Sequence, residues 1–205
     1  METLKLPLVE YGLAKLALPG QAESGDLHIV CCSQHTVLIA VIDGIGHGEA
    51  AANAAKAAAG ILRDGVSEPV ISLVHECHEK LKATRGVVMS LASVDTRHHM
   101  MTWLGVGNVQ GTLLRARAKP DAVHDVLLLR GGVVGSQLPA LQAAVLPVCP
   151  GDTVVFVTDG IRSEYSERLS ALEAPQRAAD RILQRYRSGA DDALVLVARL
   201  AGIRS

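Results

Sequence analysis

Aromatic side chains are scarce, with one Phe, one Trp and three Tyr making up 2% of 205 residues. A core must then be built from Val, Leu, Ile and Ala, and few rings remain on which single-stranded bases could stack. A basic tract is also missing. Lys and Arg number 20 against 21 Asp and Glu, for a formal net charge of −1, so the electrostatic footprint of a nucleic-acid binder is absent. No apolar run reaches the length that spans a bilayer, and Met1–Pro7 lacks the features of a signal peptide. The four cysteines, Cys31, Cys32, Cys77 and Cys149, include no C-x-x-C pair. They suit neither a zinc site nor a disulfide framework, and read as reduced thiols of a cytoplasmic protein.

What remains is ordinary for a globular protein: 49% hydrophobic and 20% charged residues, in a length that fits a single domain over 1–205. The organising stretch is Val37-Leu38-Ile39-Ala40-Val41-Ile42-Asp43-Gly44-Ile45-Gly46-His47-Gly48. Its apolar run reads as a fully buried strand that ends at an acid, and an Ala-rich helix follows the glycine turn. A carboxylate on a rigid strand end, beside a glycine carbonyl free to point at a ligand, suits a hard cation with its waters. Alone, Asp43-Gly44 is equally a turn whose acid caps the next helix. The pattern recurs, however. Val154–Thr158 is an apolar strand that runs into Asp159-Gly160, and Asp191-Asp192 directly precedes the apolar strand at Ala193–Leu200. Acidic strand ends far apart in sequence point to one shared cation site.

The rest of the chain supplies a frame. Strands are expected over Leu8–Leu18, stopped by Pro19-Gly20, and over Leu27–Ser33. The latter forms a hairpin with Thr36–Ile42 that brings Asp26 near Asp43. Gly48–Arg63 has high helix propensity and a C-cap at Gly65. A second helix runs from Ser67 (N-cap) and Pro69 to about Ala83, with Val70, Leu73, Val74, Cys77 and Leu81 on one face. Val87–Asp95, Met100–Val106, Val109–Arg117 and Val126–Leu129 follow with no room for helices between them, and should be antiparallel. Gly131–Leu146 reads as a long, Gly-rich and mostly apolar loop beside the site, with part of it core or a short helix as the alternative. Residues 160–187 read as one short and one longer helix, and Ala201–Ser205 as a tail. The layered solution is an α+β fold, a four-layer α-β-β-α sandwich of two mainly antiparallel sheets flanked by helix pairs.

These motifs resemble those of the PPM-type (type 2C) metal-dependent serine/threonine phosphatases, in their bacterial SpoIIE-like branch. Asp43-Gly44-Ile45-Gly46-His47-Gly48, Phe156-Val157-Thr158-Asp159-Gly160, Asp191-Asp192 and Glu23-Ser24-Gly25-Asp26 each look like one of its motifs. Tyr11-Gly12-Leu13-Ala14 and Gly105-Val106-Gly107-Asn108-Val109 are similar to the small members of that branch that act in stressosome feedback. The resemblance covers essentially the whole chain. It implies two divalent cations, Mn²⁺ or Mg²⁺. Asp43 would bridge them, the Gly44 carbonyl would bind one, Asp159 and Asp191 would hold the other, and Asp26 would sit near the pair through water. Asp43, Asp159 and Asp191 would then be catalytic through the bound metals and water. Two cations about 4 Å apart can activate a water and steady a phosphate during in-line attack. All-oxygen ligands favour these ions over zinc.

The resemblance also implies supporting roles for Asp192, which stands where many relatives carry Asn, and for His47. A histidine beside metals could protonate a leaving serine oxygen. Here Ile45 occupies the place directly after Asp-Gly, and His47 is read as orienting the helix start. His98-His99 reads as solvated, and Asn108 as a backbone device in a Gly-rich turn, with a substrate contact as the alternative. No arginine near the N-terminus matches the phosphate-gripping residue of eukaryotic relatives. The implied substrates and partners are phosphorylated STAS-domain stressosome proteins of the RsbS and RsbR kind, with neither nucleic acid nor membrane involved. Two other readings compete: a phosphatase-like module that binds phosphorylated partners with weak catalysis, and a phosphoacceptor receiver domain with Asp43 as acceptor. Retention of the acids argues against the first, and the helix-free strands from Val87 to Leu129 against the second.

Overall fold

A computed structural model describes residues 8–18, 20–21, 23–117 and 124–201. Pro19, the Met1–Pro7 segment and the tail beyond Ala201 lie outside the described residues. The strands are β1 (Val9–Leu16), β2 (Asp26–Cys32), β3 (Thr36–Gly44), β4 (Val87–Asp95), β5 (Met100–Val106), β6 (Gln110–Leu114), β7 (Asp125–Val126), β8 (Leu129–Arg130), β9 (Ala144–Pro147), β10 (Thr153–Val157) and β11 (Ala193–Leu200). The helices are α1 (Glu49–Asp64), α2 (Val70–Leu81) and α3 (Pro175–Tyr186), with a 3-10 helix over Ser163–Arg168. One sheet has the order β1-β11-β10-β6-β7. The other runs β2-β3-β4-β5-β8, with β9 also paired to β5.

The sandwich follows from the strand pattern. On β3, Val37, Ile39 and Val41 face the other sheet, where they join Val154, Phe156, Leu194 and Leu196 in one cluster. The alternate residues Leu38, Ala40 and Ile42 face outward and pack on Ala54, Ala55 and Ala58 of α1 and on α2. A strand covered on both faces reads as a continuous apolar run, which is why residues 37–42 show no alternation. On the far side, Val155, Val157, Val195 and Val197 pack on Ala179 and Ile182 of α3 and on Tyr165 of the 3-10 helix. The four layers are those expected, with the second helical layer made of one α-helix and one short 3-10 helix.

Three local expectations give way. Val126–Leu129 is not one antiparallel strand. β7 pairs antiparallel with β6, and β8 pairs parallel with β5 in the other sheet. The chain crosses between sheets at Leu127, which is buried in the inter-sheet core and whose N–H donates to the Gly111 carbonyl at 2.9 Å. Ser67 does not cap α2. The cap position is Pro69, with no side-chain bond, because Ser67 Oγ donates instead to Ser33 Oγ at 3.0 Å. The Gly131–Leu146 stretch gives way as a loop and follows its alternative reading as part core. Val134 is buried and bridges Val87, Val133, Leu138 and Leu141 pack against the cores, and its last residues enter β9.

Candidate metal centre

The β2–β3 hairpin sets Asp26 directly opposite Asp43 at one end of its sheet. In the facing sheet, β10 runs into Thr158-Asp159, and Asp191-Asp192 lead into β11. The two sheets meet at Thr158. Its hydroxyl donates to Asp26 Oδ2 at 2.8 Å and accepts from the Leu194 N–H at 2.9 Å. One buried side chain thus fixes both strand ends against each other across 132 residues. The result is a cleft of about 430 Å³ in which Asp43, Asp159 and Asp191 line the wall with Asn108 and Gly46.

Both Asp-Gly pairs owe their glycine to packing. A Cβ on Gly44 would collide with the Ala51 backbone of α1, and one on Gly160 with the Asp192 carbonyl. Small residues let the helix and β11 come close enough to bring the acids together. Gly44 is buried and its N–H donates to the Gly25 carbonyl at 3.1 Å, which pins the loop before β2 to the end of β3.

Charge accumulates here without compensation. Burial, with Asp26 and Asp159 as the nearest like charges, pushes the Asp43 carboxyl up to about 8. Asp26, only 1% exposed, is pushed up to about 7 by its burial, against the lowering bond from Thr158. Asp159 is raised by burial and by Asp191. Carboxylates that repel one another in this way are set to bind cations or protons. Among the described residues, no three His, Cys, Asp or Glu side chains converge closely enough to hold one ion by themselves. The arrangement therefore fits hard ions that take one or two carboxylates each and complete their shells with carbonyl oxygen and water, as Mg²⁺ does.

The remaining expected residues lie around this set. Asp192 is buried and points away from the cleft, with Oδ1 accepting from the Leu18 N–H at 2.6 Å and Oδ2 from the Gly25 N–H at 2.7 Å. It staples the loop that delivers Asp26. His47 is exposed in the turn before α1, and the ring of His98 pairs with Asp95 at 2.8 Å in the β4–β5 turn. The sequence reading singled out Asn108 but not its bond to Asp159, and missed Arg85. The Asn108 side-chain amide donates to Asp159 Oδ2 at 2.8 Å. Exposed Arg85 places a guanidinium nitrogen 2.8 Å from where a Cβ on Gly46 would stand, at the lip of the cleft. The spacing of Asn108 in its Gly-rich turn was the available signal for the first; nothing in the sequence marks the second.

Face-to-face sheets, outer helices and acids converging at one end define the fold of the type 2C metal-dependent serine/threonine phosphatases. The sequence model of the family Stage II sporulation protein E (SpoIIE) matches residues 33–201, and the chain belongs to that family. Phosphoserine phosphatase RsbX of Bacillus subtilis (strain 168) is 28% identical over 91 residues, which are 44% of this chain and 46% of RsbX; the match spans about half of that relative. A structure solved under the heading "The bacterial stressosome: a modular system that has been adapted to control secondary messenger signaling" is 28% identical. It covers 93% of this chain and 99% of its own, with a TM-score of 0.83. RsbX in complex with magnesium superposes with a TM-score of 0.82 at 20% identity, over 94% of this chain and 96% of that one.

Proposed function

We propose that this protein is a phosphoserine/phosphothreonine protein phosphatase of the RsbX kind, dependent on Mn²⁺ or Mg²⁺ and acting on phosphorylated STAS-domain proteins of a stressosome. The observation that carries the reading is the meeting of Asp43, Asp159 and Asp191, from three distant strand ends, in one cleft. In this reading Asp43 and the Gly44 carbonyl, with Asp159 and Asp191, hold the cations, and Asp26 acts beneath Asp43 through water. The bound cations would supply a nucleophilic water and charge neutralisation for a phosphoryl group. The chain itself pairs these acids with no cationic side chain among the described residues, and adds Arg85 as a cation at the lip suited to an anionic substrate.

Support for the stressosome setting comes from family membership and from the likeness to RsbX and to a stressosome structure. No helix among the described residues is long and apolar enough to cross a membrane. The strand order is not that of a receiver domain, whose helices alternate with parallel strands. A weakly catalytic binding module gains no support from a site that retains all its acids.

The test is hydrolysis of an aryl phosphate and of a phosphorylated STAS-domain protein, with Mn²⁺ and with chelator. Full turnover in chelator would refute the metal dependence, and no turnover of any phosphoprotein would refute the enzyme. The metals would contact only the phosphate, and the cleft wall continues through Gly131 and Gly132 into a stretch that carries further apolar side chains. The folded phosphoprotein is therefore expected to exceed a phosphopeptide copied from it in kcat/KM. Equal values would mean that only the local phosphosite is read.

A further inference from the structure

Asn108 sits in a place where a side chain with another job would not be needed. It follows Gly107, whose backbone is left-handed at φ 95°, and the turn joins β5 to β6 across the mouth of the cleft. The left-handed glycine turns the chain so that the next side chain faces the cleft wall instead of continuing the β5 ladder. A Cβ on Gly107 would collide with Val88 of β4, so the turn is wedged against the sheet. Its position is further fixed by the Gly107 N–H, which donates to the Arg130 carbonyl at 2.8 Å. Asn108 is thus presented from a braced turn, and its amide reaches Asp159 Oδ2 at 2.8 Å.

The cleft-lining acids differ in how they are held. Among the described residues, Asp191 Oδ1 accepts from the Asp192 backbone N–H and Asp43 accepts from no side chain. Asp159 is the one of the three that a side-chain donor grips. It stands just beyond β10 and is exposed, so besides nearby backbone N–H groups its carboxylate has Asn108 alone among side chains to orient it. A neutral amide also suits the position, because it donates a hydrogen bond without adding a charge to the cluster. An acid there would repel Asp159, and a Lys or Arg would neutralise it and compete with a cation.

We infer that Asn108 is a positioning residue: by occupying Asp159 Oδ2 it fixes the carboxylate plane and leaves the other oxygen to face a divalent cation. The inference rests on the metal-dependent reading above. Partners that orient a ligand's carboxylate in this way typically change metal affinity about 10- to 100-fold when removed. The chain reaches Asp159 from a different strand connection, so the effect is transmitted by one hydrogen bond and not by repacking of β10.

The experiment measures Mn²⁺ affinity by calorimetry and melting temperature with and without Mn²⁺, for the wild type, Asn108→Ala and Asn108→Ser. In Asn108→Ala the weaker of the bound ions is expected to lose about 10-fold or more in affinity. The melting temperature in chelator should stay at the wild-type value while the Mn²⁺-induced rise shrinks. Asn108→Ser, which keeps a donor, should recover part of the affinity. In turnover of an aryl phosphate, the Mn²⁺ concentration for half-maximal rate should rise, with kcat at saturating Mn²⁺ changed less. Unchanged Mn²⁺ affinity in Asn108→Ala would overturn the inference. So would an equal loss of melting temperature in chelator and in Mn²⁺, the mark of a purely structural side chain. Absence of any Mn²⁺ effect on the wild type would instead overturn the metal-dependent reading itself.

Discussion

Asp26 and Asp43 face each other across the β2–β3 ladder, two carboxylates in register with no cation paired to either among the described residues. Their folded values, about 7 and about 8, lie far above the ordinary 3.8. Between those limits the folded chain binds more protons than the unfolded chain. The stability tied to these groups is present below about pH 4 and is lost as pH rises through their folded values. Metal-free wild type is therefore expected to lose melting temperature between about pH 5 and pH 8 more steeply than Asp43→Asn, which should be the more stable of the two at about pH 8. Mn²⁺ should reverse that order. Parallel pH curves for the two proteins, recorded by thermal denaturation in chelator, would show that Asp43 carries no such strain.

Asp43 and Asp192 should separate function from scaffold. Asp43→Asn is expected to abolish most turnover while leaving a folded protein. Asp192→Asn keeps an acceptor oxygen for the loop and should lower turnover less. Asp192→Ala strands the N–H groups of Leu18 and Gly25, and a buried donor left unpaired costs about 1–3 kcal/mol. Its melting temperature should fall in chelator as well as in Mn²⁺. Equal activity losses for Asp43→Asn and Asp192→Asn would mean that the ligands have been assigned wrongly.

Arg85 is exposed, so its removal should spare the fold. Arg85→Ala is expected to raise KM for an aryl phosphate and the inhibition constant of inorganic phosphate by about 10-fold, in keeping with loss of one charged hydrogen-bonding pair. Arg85→Lys should recover part of the loss, since an ammonium supplies charge without the bidentate fork. Unaltered phosphate inhibition in Arg85→Ala would remove Arg85 from the substrate site.

Gly160→Ala tests the packing argument. The new methyl would drive into the Asp192 carbonyl, a backbone atom that cannot swing aside. Overpacking of this kind costs about 1–3 kcal/mol. Because the displaced segment carries Asp191, Mn²⁺ affinity should fall together with melting temperature. A variant with wild-type values for both would show that β11 has slack at its start.

Much of this architecture was legible because it rests on strong local signals. The apolar run from Val37 to Ile42, the Ala-rich α1 and the stops at Gly65 and Gly86 each encode an element in consecutive residues. The hairpin placed Asp26 beside Asp43 for the same reason. What escaped depends on contacts between distant segments. Strands of two residues, such as β7 and β8, carry no periodicity of their own and exist only because neighbouring sheets accept them. That part of Gly131–Leu146 belongs to the core was an open alternative in the sequence, but which residue is buried was not: Val134 is fixed by its bridge to Val87 of β4. Asn108 and Arg85 are ordinary polar residues until the fold brings Asp159 and Gly46 to them.

β11 lies between β1 and β10, an interior strand of its sheet formed by a late stretch of chain. Until it has been synthesised and inserted, β1 has no neighbour to pair with, Thr158 lacks the Leu194 N–H, and the Asp26 loop has no Asp192 to hold it. A polypeptide still growing on the ribosome therefore carries the first acids but no assembled cleft. Under the proposed function, dephosphorylation can begin only once translation has passed Leu200, so a truncated product would be inert toward the signalling proteins around it.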